Sequence, residues 1–392
     1  MALAQAEHRT ATDATPVAVT MLALSAYRSW ESLRLSVDLR PVVLTGENGT
    51  GKTNLLEAIS YLSPGRGLRG ARIADLARQG GTTPWAVSAD VATPIGPLRL
   101  GTGADPEALS ERRVVRIDGQ TVRGPAALAE HVSMIWLTPA MDGLFRESSS
   151  GRRRFFDRLV YAHDPLHARR IGAYERTLRE RARLLKEGRR DPAWLDALEE
   201  TMAETGVAVA AARCELADRL EPLLAQDFGP FPGCALALDG SVERDISVMP
   251  ALEAEQRFRA ALAASRGRDA ETGGAASGPH RCDLSVTHLA SAMPAELCST
   301  GQQKTLVVAL LLAAARLEAH RRPPVLLFDD VAAHLDEAHR SALFESVLDL
   351  GLQAWMTGTE AESFRALDGH AQFFRIAGGA VSAAGDHRGR ST

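Results

Sequence analysis

Long apolar runs are scarce in this sequence. The longest, Thr305 to Ala319, contains Arg316 and Glu318 and is too short to cross a bilayer as a helix. The first seventeen residues lack the apolar core of a signal peptide. We therefore expect a protein that does not associate with membranes and is located in the cytoplasm, with residues 1–17 forming a disordered tail.

Cysteine and lysine are also rare. The four cysteines lack both CxxC spacing and histidine partners at the spacing of a zinc site: Cys214, Cys234, Cys282 and Cys298. Reduced thiols in the cytoplasm are the simplest interpretation. Only three lysines occur, Lys52, Lys186 and Lys304, so arginine supplies most of the positive charge. Because lysine is so rare, a chance match is a poor explanation for a lysine at a fixed position of a motif.

The charge is unevenly distributed, although the net charge is only −4. Between Arg146 and Arg190 there are fourteen Arg or Lys residues against six Asp or Glu residues. Such an asymmetry indicates an anionic partner for this region. A solvated helical face with i,i+4 ion pairs is the alternative, and composition alone does not separate the two.

The apolar pattern indicates two α/β ends and a helical middle. Before residue 63 it predicts three strands and a helix: strands at 19–26, 33–39 and 42–45 and a helix at 54–62. Residues 85–125 alternate between apolar and polar and contain Gly and Pro, as in a β meander. From 150 to about 224 the pattern is helical, with a break before Pro192, because proline suits a helix start.

This pattern predicts an α/β fold in which one domain is formed by both ends of the chain. Its two segments are residues 18–149 and 280–392, and a mainly helical lobe, residues 150–279, is inserted between them. Within the insertion, residues 265–279 have low complexity and lack bulky apolar side chains. We expect them to form a flexible connection.

Residues 46–53 read GENGTGKT and fit the phosphate-binding pattern GxxxxGK[ST] between a predicted strand and a predicted helix. Glycines let successive N–H groups approach phosphate oxygens, and the helix N-terminus adds its dipole. Lys52 is expected to bridge the β- and γ-phosphates, and the Thr53 hydroxyl to bind Mg²⁺. The predicted ATP site, here called the phosphate loop, consists of Gly46, Glu47, Asn48, Gly49, Thr50, Gly51, Lys52 and Thr53.

A second apolar run, PVLLFDD at 324–330, ends in two carboxylates. A buried parallel strand that ends in aspartate is where P-loop proteins hold Mg²⁺. We expect Asp329 to be the metal ligand, and Asp330 to orient or deprotonate the attacking water, with Lys52 as the other catalytic residue. A helix cap after a core strand is the alternative, and the phosphate loop favours the metal role.

A turn of small residues at 298–302 precedes an apolar helix, and such turns bind anions. The order of phosphate loop, small-residue turn and acidic strand resembles an ABC-type ATPase head. The turn is similar to the LSGGQ signature, and Asp336 falls in the following D-loop. In such heads the signature of one copy covers the γ-phosphate held by the other, which implies an ATP-dependent homodimer with Ser299, Gly301 and Gln302 acting in trans. An ordinary N-capped helix is the alternative for this turn.

Over about residues 18–360 the chain resembles the RecF family of bacterial recombination-repair ATPases. The segments that carry the resemblance are LSAYRSW at 24–30, GKTNLLEAISYLSPGRGLR at 51–69, RRRFFD at 152–157 and GPHRCD at 278–283. The resemblance implies an ABC-type head without a long coiled coil, which binds ATP and DNA and dimerises on ATP. It further implies slow, DNA-stimulated hydrolysis and action with RecO and RecR in gap repair, recombinase loading and SOS induction. Arg28 would lie near the nucleotide.

Four positions depart from the patterns of these families. Asp330 stands where most ABC-type heads have Glu, a difference that the RecF family shares, and Thr300 replaces the first signature glycine. His334 replaces a Glu of the RecF pattern, and Cys282 replaces an Asp. The last two bear on the tuning of hydrolysis rather than on ATP binding.

The arginine-rich insertion is the expected DNA surface, because an arginine fork can donate twice to one phosphate. Backbone contacts of this kind give affinity with little base specificity. The candidates are Arg152, Arg153, Arg154, Arg179 and Arg183. Part of 152–154 would alternatively hold the two lobes together.

Two other functions share the ATPase elements. The first is the ATP-binding subunit of an ABC transporter, which the chain length, the basic insertion and Asp330 disfavour. The second is a DNA-binding scaffold that holds a nucleotide without turning it over.

Overall fold

The computed structural model describes residues 17–81, 83–105, 112–188 and 191–384. The tail predicted at 1–17 lies outside the described residues except for Val17, and so does Arg190 at the end of the basic region. The strands are β1 (Ala18–Tyr27), β2 (Trp30–Ser36), β3 (Val42–Thr45), β4 (Ala86–Thr93), β5 (Gly96–Ala104), β6 (Arg113–Ile117), β7 (Gln120–Val122), β8 (Met134–Leu137), β9 (Cys234–Asp239), β10 (Asp283–His288), β11 (Met293–Pro294), β12 (Val325–Phe328), β13 (Ala354–Gly358), β14 (Gln372–Ala377) and β15 (Ala380–Ala383). The helices are α1 (Lys52–Ser60), α2 (Ser149–His163), α3 (His167–Lys186), α4 (Pro192–Leu224), α5 (Ser241–Val248), α6 (Ala251–Thr272), α7 (Thr300–Glu318), α8 (Val331–His334) and α9 (Glu337–Asp349).

The central sheet has the strand order β15-β14-β3-β13-β12-β8 and joins the two ends of the chain. Its pairs are parallel except for the β14–β15 hairpin. Strands β3, β8, β12 and β13 are buried along their whole length, as expected for a sheet covered on both faces. The prediction that distant segments form one domain is thus consistent with the strand pairing.

The two faces of the central sheet contribute to two separate cores. Alternate residues of β12 point to opposite faces, so Val325 and Leu327 belong to one core and Leu326 and Phe328 to the other. The first core contains α1 and the antiparallel sheet β2-β1-β4-β5-β6-β7, which includes the predicted meander. The second contains α2, α7, α9 and the C-terminal half of α4. Helices α1 and α7 therefore lie on opposite faces of the sheet.

The inserted lobe is built from α3, the N-terminal half of α4, α5 and α6 around Tyr174, Met202 and Phe258. The predicted break before Pro192 is present. Asp191 caps α4 by accepting hydrogen bonds from the backbone N–H groups of Ala193 and Trp194. This cap satisfies N–H groups that the helix itself leaves unpaired.

The prediction of a flexible connection at 265–279 is wrong for its first half. Helix α6 continues to Thr272 and ends at Gly273, whose left-handed conformation (φ 75°) suits glycine. This part of the helix is held by a buried ion cluster, in addition to the packing of Ala270 on a small apolar cluster. Arg181 donates to Glu199 and to Asp269, each over 2.8 Å. A pattern of apolar residues contains no signal for such a cluster of charged side chains.

The predicted lobe boundaries also differ from the packing. Helix α2 lies within the predicted insertion, yet Phe155, Phe156 and Leu159 are part of the core beneath the central sheet. Strand β9, also in the insertion, pairs with β10 beyond residue 279. Among the described residues, no helix combines the length and apolar content that crossing a bilayer requires.

Candidate functional site

The phosphate loop joins β3 to α1, as predicted. Gly46 and Gly51 have φ of 151° and 100°, in the region that favours glycine. A Cβ on Gly51 would lie 2.7 Å from the Ser29 hydroxyl, and one on Gly46 would collide with the carbonyl oxygen of Ile376. Both the backbone conformation and the close packing on β14 and on the β1–β2 turn thus require glycine at these positions.

Lys52 begins α1 and is 7% exposed. Its Nζ donates to the carbonyl oxygens of Gly46 and Glu47, over 2.6 and 2.8 Å. Burial lowers the pKa of Lys52, and the nearby charges of Asp330 and Asp329 oppose that shift. The cation is thus held inside the loop, on the side of the two carboxylates.

Asp329 directly follows β12 and connects the phosphate loop to β13. Its Oδ1 accepts hydrogen bonds from the hydroxyls of Thr53 and Thr357, each over 2.8 Å. Two neighbouring ligands of an octahedral Mg²⁺, each about 2.1 Å from the ion, are about 3 Å apart. The Thr53 and Asp329 oxygens therefore fit a shared Mg²⁺. Among the described residues, no group of three or more His, Cys, Asp or Glu side chains is placed to hold a metal ion, so phosphate and water oxygens would complete the coordination.

Asp330 follows in a left-handed conformation, with φ 50° and ψ 33°, which is uncommon for a residue with a side chain. Its backbone N–H donates to the Thr357 hydroxyl over 2.8 Å. It is also the first residue before α8, but its side chain makes no capping hydrogen bond there. The helix-cap alternative therefore does not account for this carboxylate.

Arg28, which we expected near the nucleotide, is committed to Glu57. Its Nε and Nη2 donate to the two Glu57 carboxylate oxygens, both over 2.9 Å, and Nη1 donates to the Asp75 carbonyl oxygen. The neighbouring residues contact the phosphate loop instead. Trp30 donates to the Gly51 carbonyl oxygen over 3.4 Å, and Ser29 accepts from Asn54. Arg28 therefore joins the β1–β2 turn to α1.

The signature segment, residues 298–302, begins α7 on the other face of the central sheet. Ser299 caps the helix: its hydroxyl accepts from the Gln302 N–H, and the Gln302 side chain accepts from the Ser299 N–H. This is the capping box of an ordinary helix start. Gly301 is different, because a Cβ there would meet nothing within 4 Å. Packing within one copy therefore does not require glycine at 301.

A surface cavity of about 320 Å³ joins the signature segment to the D-loop, since Gly301, Gln302, Asp336 and His339 all line it. Asp336 caps α9 by accepting from the His339 N–H over 2.9 Å, and also accepts from the His339 ring over 2.8 Å. These hydrogen bonds lower the pKa of Asp336. The D-loop carboxylate is thus held beside the signature segment in the same copy.

Similarity to known proteins covers nearly the whole chain. The sequence model of the RecF/RecN/SMC N-terminal domain matches residues 18–378. Relatives called DNA replication and repair protein RecF are 48% identical in Mesorhizobium japonicum, over 93% of this chain and 97% of the relative, and 47% identical in Rhizobium meliloti, over 93% and 99%. The chain belongs to the RecF family.

Solved structures agree with the RecF fold. A structure of the recombination mediator protein RecF-ATPrS in the RecFOR pathway covers 95% of this chain and 99% of its own, with a TM-score of 0.82 at 22% identity. An Smc head domain with an extended coiled coil from Pyrococcus furiosus covers 94% and 96%, with a TM-score of 0.52 at 14% identity. The predicted ABC-type head fold is therefore confirmed, and a transporter subunit is not favoured.

The arginines predicted to contact DNA differ in their surroundings in this RecF-family chain. Arg152 is 13% exposed and donates twice to Asp283, and Arg153 donates to the Cys282 carbonyl oxygen. These two residues bind the segment that carries β10, as the interlobe alternative anticipated. Arg154, Arg179 and Arg183 are exposed. Only these three remain open to an external partner.

The sequence did not single out three residues of the candidate site: Glu57, Trp30 and Thr357. Thr357 lies at the end of β13, between β3 and β12 in the sheet, and so meets both aspartates. A TGT sequence after an apolar strand was a weak signal for it. Glu57, five residues after Lys52 in a buried helix, was a stronger one, because a buried carboxylate needs a partner.

Proposed function

We propose that this RecF-family chain is a DNA replication and repair protein, in which ATP joins two copies into a clamp on DNA. Its slow, DNA-stimulated hydrolysis of ATP to ADP and phosphate would release the clamp. In the cytoplasm it would act with RecR and RecO at gapped DNA, in recombinase loading and SOS induction. The observation that carries this proposal is the separation of α1 and α7 on opposite faces of the central sheet.

That separation supports a site formed by two copies. Within one copy, the signature segment cannot reach a phosphate held at the N-terminus of α1, because the central sheet lies between the two helices. A second copy related by a two-fold axis would bring its own signature segment to the phosphate loop. The open space around Gly301 supports this arrangement, since no packing within the copy requires a residue without a side chain there.

The residues of one copy have separate tasks in ATP binding. The N–H groups of the phosphate loop and Lys52 bind the phosphates, while Thr53 and Asp329 would hold Mg²⁺. Mg²⁺ neutralises charge on the phosphates when it is bound. Asp330, held by the Thr357 hydroxyl through its backbone, would orient the attacking water. Asp336 would meet the partner copy at the D-loop.

Light scattering tests dimerisation with ATP, with ADP and without nucleotide, each with and without gapped DNA. We expect the dimer only with ATP. Ser299→Arg should leave ATP binding intact but abolish the dimer, because the bulky cation would occupy the space of the partner's phosphate. Leu252→Arg, at an exposed leucine (66%) on α6 in the inserted lobe, is the control for added charge. If Ser299→Arg dimerised normally, the two-copy site would be refuted.

Turnover distinguishes the clamp from a scaffold that merely holds its nucleotide. Lys52→Arg keeps the charge but cannot fit the two carbonyl contacts of the buried Nζ, so hydrolysis should fall to background. Fluorescence anisotropy measures the release of DNA after ATP addition, and this release should slow in parallel with hydrolysis. Normal release by this variant would instead favour the scaffold.

A further inference from the structure

An exposed, nearly uncharged segment leads into the signature segment. Residues 289–303 contain one charged residue, Glu296. Three large apolar side chains on it face solvent: Leu289 is 44% exposed, Met293 39% and Leu297 69%. Depletion of charge together with exposed apolar side chains is characteristic of a surface that another protein covers. These three residues are called the apolar patch.

The apolar patch is physically continuous with the signature segment. His288, the residue before Leu289, lines the same cavity as Gly301 and Gln302. Gln303 is fully buried and donates to the carbonyl oxygens of Glu296 and Cys298, over 3.3 and 2.9 Å, which fixes the turn that carries Leu297. Whatever approaches the signature segment therefore also approaches the apolar patch.

A second uncharged surface lies beside the phosphate loop. Strand β14 is parallel to β3, and Arg375 pairs with Thr45, so Ile376 packs against Gly46. The β14–β15 hairpin therefore emerges at the nucleotide end of the sheet. Residues 376–384 contain no charged side chain, and its tip, residues 377–380, is exposed.

We propose that the apolar patch of one copy packs against the β14–β15 tip of a second copy when ATP joins the two. This inference rests on the proposed two-copy site, since bringing the signature segment of one copy to the phosphate loop of the other brings their flanking surfaces together. The β14–β15 tip carries no charge, and Glu296 is the one charged residue in the segment that bears the apolar patch, so the contact buries apolar area with little charge to desolvate. The contact adds affinity that is independent of the phosphates themselves.

Leu297→Glu is the direct test. At saturating ATP it should raise the protein concentration for half-maximal dimerisation by about tenfold or more, because a charge would be buried at the centre of the contact. ATP affinity of the monomer should not change. The matched control is Leu252→Glu, an equally exposed leucine (66%) on α6 in the inserted lobe, which should dimerise as the parent does. The thermal midpoints of both variants should match the parent protein.

Cross-linking tests the location of the contact. In the double variant Leu297→Cys/Ala380→Cys, a short bis-maleimide should join two chains with ATP and not with ADP. Leu252→Cys/Ala380→Cys should give no such product. The three buried native cysteines and the half-buried Cys214 make the parent protein a usable background control.

The outcomes separate this inference from the proposed function. If Leu297→Glu dimerises normally while Ser299→Arg does not, the apolar patch is not in the interface and the two-copy site stands. If both dimerise normally, the two-copy site itself is refuted. If Leu297→Glu blocks dimerisation but the cysteine pair does not cross-link with ATP, the β14–β15 tip is the wrong counterpart and the inference is overturned as stated.

Discussion

Thr357, on β13, donates a hydrogen bond over 2.8 Å to Asp329, at the end of β12. The same hydroxyl accepts the backbone N–H of Asp330, also over 2.8 Å. One buried side chain, 1% exposed, thereby orients the expected Mg²⁺ ligand and stabilises the left-handed backbone of the expected water-orienting residue. Thr357 is thus a positioning residue between the two aspartates.

Thr357→Val should lower kcat for ATP hydrolysis by at least about tenfold with a smaller effect on ATP affinity. The variant keeps the shape but removes a hydrogen bond to a charged group, worth about 1.5–3 kcal/mol, and leaves the Asp330 N–H unpaired. Thr357→Ser retains the hydroxyl and should recover most of the rate. Steady-state kinetics with nucleotide-binding titrations measure both effects. A valine variant with the parent kcat would rule out the positioning role.

Local sequence signals predicted the parts of the site that follow from short-range chemistry. The phosphate loop, β3 and the acidic end of β12 were all predicted at the observed positions, because glycine conformations and apolar runs are local properties. The apposition of Thr53 and Asp329, 276 residues apart, also followed from the P-loop pattern. These are features that a few residue types specify by themselves.

Long-range polar contacts explain what the sequence did not predict. The pairing of Arg28 with Glu57 was not predicted, and residues 265–272 were expected to be flexible but form helix. In both places an ion pair joins residues that are not neighbours in the sequence. Apolar periodicity carries no information about such pairs. The boundary at 279 failed for a similar reason, since β9 and β10 pair across it.

The ion cluster of the inserted lobe gives a stability prediction. Arg181 is 1% exposed and donates to Glu199, Asp269 and the Leu262 carbonyl oxygen. Arg181→Leu would leave two buried carboxylates without this partner, and should lower the free energy of unfolding by about 3–5 kcal/mol. Arg176→Leu, exposed on the same helix, is the matched control and should change it by less than about 0.5 kcal/mol.

Urea denaturation measures both variants, and amide hydrogen exchange localises the effect. In the parent protein, residues 265–272 should be protected as part of α6, and Arg181→Leu should remove that protection first. Fast exchange of these amides in the parent would restore the flexible connection that the sequence predicted.

His280 gives a prediction for acid pH. Its Nε2 donates to the Ala275 carbonyl oxygen over 3.0 Å, so Nδ1 accepts the Tyr174 hydroxyl, over 2.6 Å. Burial, with the nearby charges of Arg281 and Arg153, lowers the pKa of His280 to about 4. The unfolded chain binds this proton near pH 6.5, so the stability from neutral His280 is present above pH 6.5 and is lost as the pH falls toward 4.

Between pH 7 and pH 5 this loss should amount to about 2 kcal/mol of unfolding free energy. His280→Gln cannot titrate, and its unfolding free energy should fall by correspondingly less over the same range. Comparing the two slopes cancels the titration of the other histidines. Equal slopes would mean that His280 keeps an ordinary pKa in the folded protein.

The arginines of the predicted insertion should separate into structural and DNA-binding groups. Arg179, with a side chain 70% exposed, and the exposed Arg183 lie on α3, whereas Arg152 is 13% exposed and paired with Asp283. Replacing both Arg179 and Arg183 with alanine should weaken binding to gapped DNA in the presence of ATP. It should also reduce the slope of log affinity against log salt by up to about 2, because each phosphate contact releases about one counterion. Thermal stability should be unchanged.

Arg152→Ala should behave in the opposite way. It leaves Asp283 without its partner and should lower the free energy of unfolding by about 1–3 kcal/mol, since hydrogen bonds to charged groups are the costly ones to remove. The salt slope of DNA binding should stay at the parent value, because the Arg152 guanidinium is occupied within the protein. Fluorescence anisotropy at two or more salt concentrations measures the slope. If Arg152→Ala lowered the slope while the double variant did not, DNA would lie at the junction of the lobes and α3 would be an ordinary solvated face.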